Sequence, residues 1–503
     1  GEVKALWIAC TNPAQSLPDQ ATVRRAFERA EFVVVQEAFA HTATAALADV
    51  LLPATTWGEK DGTVTNSERR ISRVRPAVAA PGQARHDWVI ARDIALRLAT
   101  RIGPATLTAE QRTAMFHYPT AESVWNEHRE STRGRDLDIT GLSYALLESN
   151  GPQQWPFVAD ASQGKARLYE DGQFPTADGR ARFADVAPRP LAEPRSAVYP
   201  FSLNTGRLRD QWHGMSRTGT LGRLFGHTPE PAVELHPQDM ARLRLAEGDS
   251  VRVQSKRGAV VLQARASAAV APAQAFVAMH WGPEALVGRD ADGQPHGGIN
   301  ELTTPAFCPK SKQPELKHAA VRLEKLILNW RLAARTWLPL SEALSARQAI
   351  LELLRGPALK GLVTASIVPF GREGEALTTE SEAPRLGLWL RAASAEAPDA
   401  TAREALLQVQ ALMGFQTEGI LAYDDPRTGQ QRRLRVGAST LAVPSGGGSK
   451  VEGAIGTQAP VLTAYWLAGD IDGHEALDRL VEEGPAIPGA ARLLLDPGAL
   501  RTR

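Results

Sequence analysis

Polar residues gather at three places in this sequence, each just after an apolar run. They are "IACTNP" followed by "VVVQEAF", the segment Leu52 to Val78 ("LPATTWGEKDGTVTNSERRISRVRPAV"), and "LNTGRLRDQWHGMSRTG". In the last, Gly206 would let backbone amides approach a ligand, and Arg207 offers a planar fork suited to phosphate or a carbonyl edge. Glu37 and Asp87 could each accept two parallel donors from a guanine-type ring edge, and Lys60 could neutralise a pyrophosphate. Such a set suits a large phosphorylated, polar-ringed cofactor better than a small metabolite. Blander readings stand beside it. Asp87 precedes a helical pattern and reads locally as a cap, Lys60 as a solvated charge, and His213 and His236 as structural histidines. Cys10 and Cys308 read as small core residues rather than metal ligands. There is no Ser–His–Asp spacing, nucleophile elbow or H-E-x-x-H helix, so no catalytic residue is assigned and no metal ligand is expected.

The elements that would position these residues follow from periodicity. Residues 1–103 alternate strands ("VKALWIA", "EFVVVQEAF", "ADVLLPA") with helices ("PDQATVRRAFERA", and "HDWVIARDIALRLATRI" with an apolar stripe at Ala91, Ile94, Ala95, Leu98 and Ile102). Strands joined through helices predict an α/β domain with a doubly wound parallel sheet, whose ligands sit beyond the strands' carboxyl ends. The polar stretches fall at those ends. Residues 104–200, rich in Pro, Gly and Trp, read as an extended connection over the surface. In residues 201–326 the period changes to two: Val251 and Val253 oppose Val260 and Leu262 across a turn at Lys256, Arg257 and Gly258, and several such short strands predict a small β-barrel. Residues 327–503 read as a separate α+β domain of unassigned role. Within it "PSGGGSKVEG" lacks the spacing of a phosphate loop and reads as a flexible connector.

Composition narrows the classes further. A chain of 503 residues, 43% hydrophobic and 22% charged, is globular and long enough for several domains. A net charge of +1 gives no general pull toward nucleic acid, and no apolar run is long enough to span a bilayer. Two distant cysteines form neither a disulfide framework nor a cluster site and fit a reducing cytoplasm. The chain enters a strand-like run almost at once, without Met, and is expected to be the later part of a longer polypeptide.

Five stretches in order, "WIACTNPAQSLPD", "ADVLLPATTWGEKDGTVTNSERRISRV", "LNTGRLRDQWHGMSRTG", "VELHPQD" and "INELTTPAFCPKSKQPELKHAAVRLE", resemble the molybdopterin oxidoreductases of the dimethyl-sulfoxide-reductase type over about residues 1–326. "TGRLRDQWHGMSRTG" and "TPAFCPKSKQPELKHAAV" look most like bacterial assimilatory nitrate reductases, with formate dehydrogenases as the alternative. The resemblance implies a double-psi type for the barrel. It also implies a molybdenum bis(molybdopterin guanine dinucleotide) cofactor, with Asn12, Gln36, Glu37, Lys60 and Asp87 on one pterin and Thr205, Gly206, Arg207, His213, Asn300 and Lys317 on the other. It further implies nitrate as substrate, an iron–sulfur cluster upstream of the present residues, and an electron donor such as a ferredoxin, a flavoprotein or an NAD(P)H-linked reductase. On it the polar segment Trp57 to Arg70 would be ordered by cofactor and by a neighbouring domain, with Arg69 and Arg70 as interdomain ion pairs. A non-catalytic scaffold of the same fold, like the large iron–sulfur subunit of NADH–quinone oxidoreductase, is the rival from another class. Retention of "TGR", "EKDG" and "ELKH" argues against it.

Overall fold

The computed structural model describes residues 2–185, 187–289, 295–296, 298–371, 384–417, 419–425, 427–438, 460–485 and 487. It opens on three parallel strands, β1 (Ala5–Ala9), β2 (Phe32–Glu37) and β3 (Val50–Pro53), paired in sequential order. Between β1 and β2 lie the one-turn helix α1 (Pro13–Ser16) and α2 (Gln20–Arg29), whose N-cap Asp19 accepts from the Thr22 amide. Val33 and Val35 of β2 pack against Ala14 and Phe27. The parallel pairing is as expected, and helices join β1 to β2, but only a loop with one 3-10 turn (Ala45–Leu47) joins β2 to β3, and the reversal of strand order that defines a doubly wound sheet does not occur among the described residues.

The segment Trp57 to Arg70 orders itself. Thr56 and Glu59 form a capping box, and β4 (Gly62–Thr65) and β5 (Arg70–Val74) form an antiparallel hairpin. Only Ile71 is buried in this hairpin, too little to show as a period of two in the sequence. Among the described residues Arg69 and Arg70 form no interdomain ion pair. Arg70 pairs with Glu68, and Arg69 donates to the carbonyls of Trp155 and Ala166.

Helix α3 (Asp87–Ala99) buries Ile90 and Ala99, whereas Leu98 and Ile102 are exposed. The helix ends before Ile102, so the expected stripe is not its buried face. Residues 104–200 are not simply extended: α4 (Ala109–Ala114), α5 (Ala121–Glu130) and α6 (Tyr144–Ser149) are helical, and the two-residue β6 (Gln153–Gln154) pairs with β5. Trp125, Leu142, Leu147 and Phe157 close a small core over Ile71.

The following strands are β7 (Phe201–Gly206), β8 (Ala232–Leu235), β9 (Ser250–Gln254), β10 (Ala259–Ala266) and β11 (Gln274–Ala278), with the short helix α7 (Pro237–Arg242) after β8. Next come β12 (Leu286–Arg289) and β13 (Pro295–His296), which leave this group, and β14 (Ala319–Lys325), which completes it. Six of these strands form a closed barrel in the order β10-β8-β11-β7-β14-β9. Its β9–β10 hairpin has the expected register, Val260 opposite Val253 and Leu262 opposite Val251. Closure leaves no sheet edge unpaired.

The tail carries β15 (Trp330–Pro339), α8 (Leu340–Arg355), β16 (Thr364–Phe370), β17 (Arg385–Ser394), α9 (Ala400–Leu412), β18 (Ile420–Asp425), β19 (Gln430–Ala438), β20 (Pro460–Gly469) and α10 (His474–Glu483). Its strands form an eight-stranded sheet that also takes in β12 and β13, so the boundary expected at residue 327 is crossed. One hydrophobic core joins barrel residues such as Val233, Val253 and Val277 to tail residues Trp337, Phe370, Trp389 and Tyr465. The tail is packed onto the barrel rather than separate from it. The "PSGGGSKVEG" stretch lies outside the described residues.

Candidate cofactor-binding site

The carboxyl ends of β1, β2 and β3 open onto a cavity of about 300 Å³, closed on its far side by the loop Trp212–Arg217 that follows β7. This is where an open parallel sheet offers backbone ends to a ligand. The chain turns out of β1 through Cys10, which takes a left-handed conformation at φ 62°. Cys10 is therefore exposed and faces the cavity instead of filling a core. Partial desolvation of its thiol within the cavity, with the nearby Asp87 and Glu37 charges, pushes its pKa up against the pull of Lys60. Cys308 is likewise exposed, not a core residue.

Gln36, Glu37, Lys60 and Asp87 line one wall. Asp87 does not cap α3: the N-cap is His86, and the Asp87 carboxylate turns inward. There it is ion-paired with Lys60 and accepts from Gln36 Nε2 at 2.8 Å. Burial works to raise its pKa, but the Lys60 and Gln36 hydrogen bonds outweigh it and hold the carboxyl below its ordinary range. Lys60 is thus a bound charge with an aspartate partner. Glu37 Oε1 accepts the Ala38 and Phe39 amides at 2.7 and 3.3 Å, which fixes the turn out of β2. Gln36 Oε1 is buried and has no partner among the described residues, an acceptor left open at the cavity wall. The opposite wall contributes Trp212, His213, Ser216 and Arg217, with the Trp212 ring edge-on to His213.

Asn12, Gln36, Glu37, Lys60, Asp87 and His213 therefore share one cavity, and Thr205, Gly206, Arg207, Asn300 and Lys317 do not line it. The Asn12 amide is already satisfied: Oδ1 accepts from the Thr44 amide and hydroxyl, while Nδ2 donates to Gln15 and Glu284. Asn300 Nδ2 donates to the Gln15 carbonyl at 2.7 Å. Thr205 donates to the Leu316 carbonyl, and Lys317 Nζ to the Thr205 carbonyl at 2.9 Å. Gly206 is glycine for a packing reason, since a Cβ there would stand 2.4 Å from the Phe276 ring. Arg207 lies close enough to His280 for its charge to act on that ring. His236 has the structural role weighed for it, capping α7 by accepting from the Gln238 amide.

Periodicity gave no signal for Gln15, His280 and Glu284, because each acts across the seam between sheet and barrel. His280 is fully buried. Its Nε2 accepts from the Leu208 amide at 2.9 Å, so its Nδ1–H donates to the His213 carbonyl. Burial first, then the neighbouring positive charges, keep this ring neutral. Glu284 Oε1 accepts from Asn12 Nδ2 and the Ala43 amide, and burial pushes its carboxyl pKa up.

Residues 1–97 match the family model "Molybdopterin oxidoreductase", and residues 201–320 match "Molydopterin dinucleotide binding domain". A nitrate reductase of Klebsiella oxytoca is 37% identical over 358 residues, which cover 69% of this chain and 38% of that protein. The F420-dependent formate dehydrogenase subunit alpha of Methanocaldococcus jannaschii is 35% identical, over 64% of this chain and 43% of that one. The assimilatory nitrate reductase catalytic subunit of Bacillus subtilis is 32% identical, over 64% and 42% respectively. The chain thus spans about two-fifths of the length of the curated relatives it matches. Among the described residues no helix is long and apolar enough to cross a membrane.

Proposed function

Since the chain belongs to the molybdopterin oxidoreductases, we propose that it is part of a molybdenum-dependent nitrate reductase and holds one nucleotide end of a bis(molybdopterin guanine dinucleotide) cofactor. The observation that carries this reading is the polar cavity at the ends of β1–β3, with the open Gln36 acceptor on one wall and the Trp212–Arg217 loop on the other. Its volume suits about one nucleotide and not a paired pterin, so the rest of the cofactor extends beyond it. The donor set fits such a group. Gln36 Oε1 would accept a ring N–H, Lys60 and Arg217 would face phosphate oxygens, and the half-exposed rings of Trp57 and Trp212 offer faces for stacking. The cofactor supplies the oxygen-atom-transfer chemistry that turns nitrate into nitrite. This chain's residues bind it, orient it and exclude water from its nucleotide end. The iron–sulfur cluster and the electron-donor protein implied by the resemblance belong to the same proposal, as do the double-psi type of the barrel and a cytoplasmic location.

Formate dehydrogenase is the second reading, favoured by the match to the Methanocaldococcus jannaschii protein. The test is to purify the protein from its own host and measure its molybdenum and guanine dinucleotide content. Nitrate-dependent oxidation of a reduced viologen is then compared with formate-dependent reduction of the oxidised dye. Nitrate turnover with stoichiometric cofactor supports the proposal, and formate turnover alone replaces it with the second reading. A protein that carries neither molybdenum nor pterin leaves the scaffold reading in place.

A further inference from the structure

The two walls of the cavity belong to different parts of the fold, and one buried side chain joins them. Gln15 sits in α1, just beyond β1, and is 4% exposed. Its Nε2 donates to the His280 carbonyl at 3.1 Å, its Oε1 accepts from Asn12 Nδ2 at 3.0 Å, and its main-chain carbonyl accepts from Asn300 Nδ2. His280 and Asn300 lie on the barrel side, 265 and 285 residues away in sequence. His280 in turn donates to the His213 carbonyl, so the amide of Gln15 is two links from the far wall.

Space tells the same story. A Cβ on Gly214 would fall 1.8 Å from Gln15 Oε1, and one on Gly282 would fall 2.2 Å from Gln15 Nε2. Neither glycine has a left-handed backbone, so conformational freedom does not explain them. Both are small because the Gln15 amide occupies the room a side chain would take. Gly214 is itself part of the Trp212–Arg217 wall, which therefore rests directly on this amide.

We propose that Gln15 is a positioning residue, a latch that fixes the barrel loop Leu208–Arg217 at the distance from the strand ends that the nucleotide end of the cofactor requires. The retention half of this inference rests on the reading under "Proposed function"; the docking half does not. Gln15→Met keeps the volume and removes both side-chain hydrogen bonds, leaving the His280 carbonyl without its partner and Asn12 Nδ2 with Glu284 alone. Two such bonds of about 1 kcal/mol each correspond to roughly a tenfold or greater loss in retention of the guanine dinucleotide. Gln15→Glu separates latching from mere filling. A protonated carboxyl preserves both bonds, its C=O accepting from Asn12 and its O–H donating to His280. An ionised one sets a carboxylate against the His280 carbonyl. Retention by Gln15→Glu, taken as a ratio to wild type, should be near one at about pH 5.5 and fall several-fold by about pH 8. Glu284, His280, His213, Arg217 and Arg207 also face this seam, but they are present in wild type and variant alike, so the ratio removes their contribution.

Hydrogen exchange on the full chain tests docking independently of cofactor. Amides of 208–217 should exchange faster in Gln15→Met, while those of β9 and β10 should not. Unchanged exchange in that loop, or a Gln15→Glu ratio flat with pH, overturns the latch. A wild type that carries no pterin overturns the functional reading, and the exchange comparison still decides the latch.

Discussion

Replacing Lys60 by alanine separates the proposed cofactor contact from the local ion pair with Asp87, because the two differ in size. Lys60 and Asp87 side chains are 32% and 31% exposed, so solvent screens their pairing and its loss costs about 1 kcal/mol of stability. The pH course follows from Asp87. Its folded carboxyl titrates below the ordinary 3.8, so its contribution is present above that value and disappears as pH falls through the folded value. Without Lys60 that depression is largely lost. The stability deficit of Lys60→Ala should therefore be constant from neutral pH down to about pH 4 and vanish in stronger acid. The effect on cofactor is larger. A hydrogen bond between an ammonium and an anionic oxygen contributes about 1.5–3 kcal/mol. Asp87 already holds this ammonium, so the lower end applies, roughly a tenfold weakening. Molybdenum and guanine dinucleotide per chain, measured after purification and again after dilution, report the binding, and urea titrations at several pH values report the stability. Full cofactor retention in a variant that shows the expected acid profile would refute Lys60 as a phosphate contact and leave it as Asp87's partner only.

Gly206→Ala should destabilise the barrel by about 1–3 kcal/mol through the clash with Phe276, and a thermal melt of the cofactor-free protein would show it. Asp478→Ala should cost about 1.5–3 kcal/mol, because Arg335, 5% exposed, loses its 2.6 Å partner and keeps only Glu482 as a carboxylate partner among the described residues, while buried Tyr465 loses its acceptor; urea unfolding followed by tryptophan fluorescence measures this. His280→Gln keeps one donor and one acceptor but removes a titrating ring. His280's folded pKa lies below the ordinary 6.5, so the unfolded chain takes up the proton first and wild-type stability falls as pH drops below 6.5, by up to about 1.4 kcal/mol per pH unit. The variant should lack that increment in urea titrations between about pH 7 and about pH 5.

The sequence showed most clearly whatever repeats along the chain. Strands β1–β3, the β9–β10 hairpin and helices α8 and α9 carry their own apolar period, and the polar residues at the ends of the first three strands were found from that period alone. Glu37, Lys60 and Asp87 were legible for this reason, and Gln36 only through the family resemblance. What periodicity hides is contact across the chain. Asn12 and Asn300, whose residue types suit a ligand, spend their amides on Gln15 and its neighbours, and Gly206 answers to Phe276. Cys10 closes a strand whose pattern looks buried, yet its left-handed backbone turns it out into the cavity.

The same logic assigns the tail a physical role that its sequence did not suggest. Barrels of this size usually fill their own interior and present a polar outside. Here Ala278, Trp281 and Leu286, at and beyond the end of β11, are buried in one continuous core with Trp337, Phe370 and Trp389 of the tail sheet. Arg347 of α8 reinforces the join, donating to the carbonyls of Gly219, Glu284 and Ile367, and desolvation pulls its pKa down to about 10. Two of those carbonyls belong to segments next to the cavity: Gly219 follows the Trp212–Arg217 wall, and Glu284 holds Asn12. The tail sheet is therefore connected to the cavity-lining loop Trp212–Arg217 through buried hydrogen bonds. Substitutions at Arg347 should be felt first at the seam between sheet and barrel, and only secondarily in the tail's own stability.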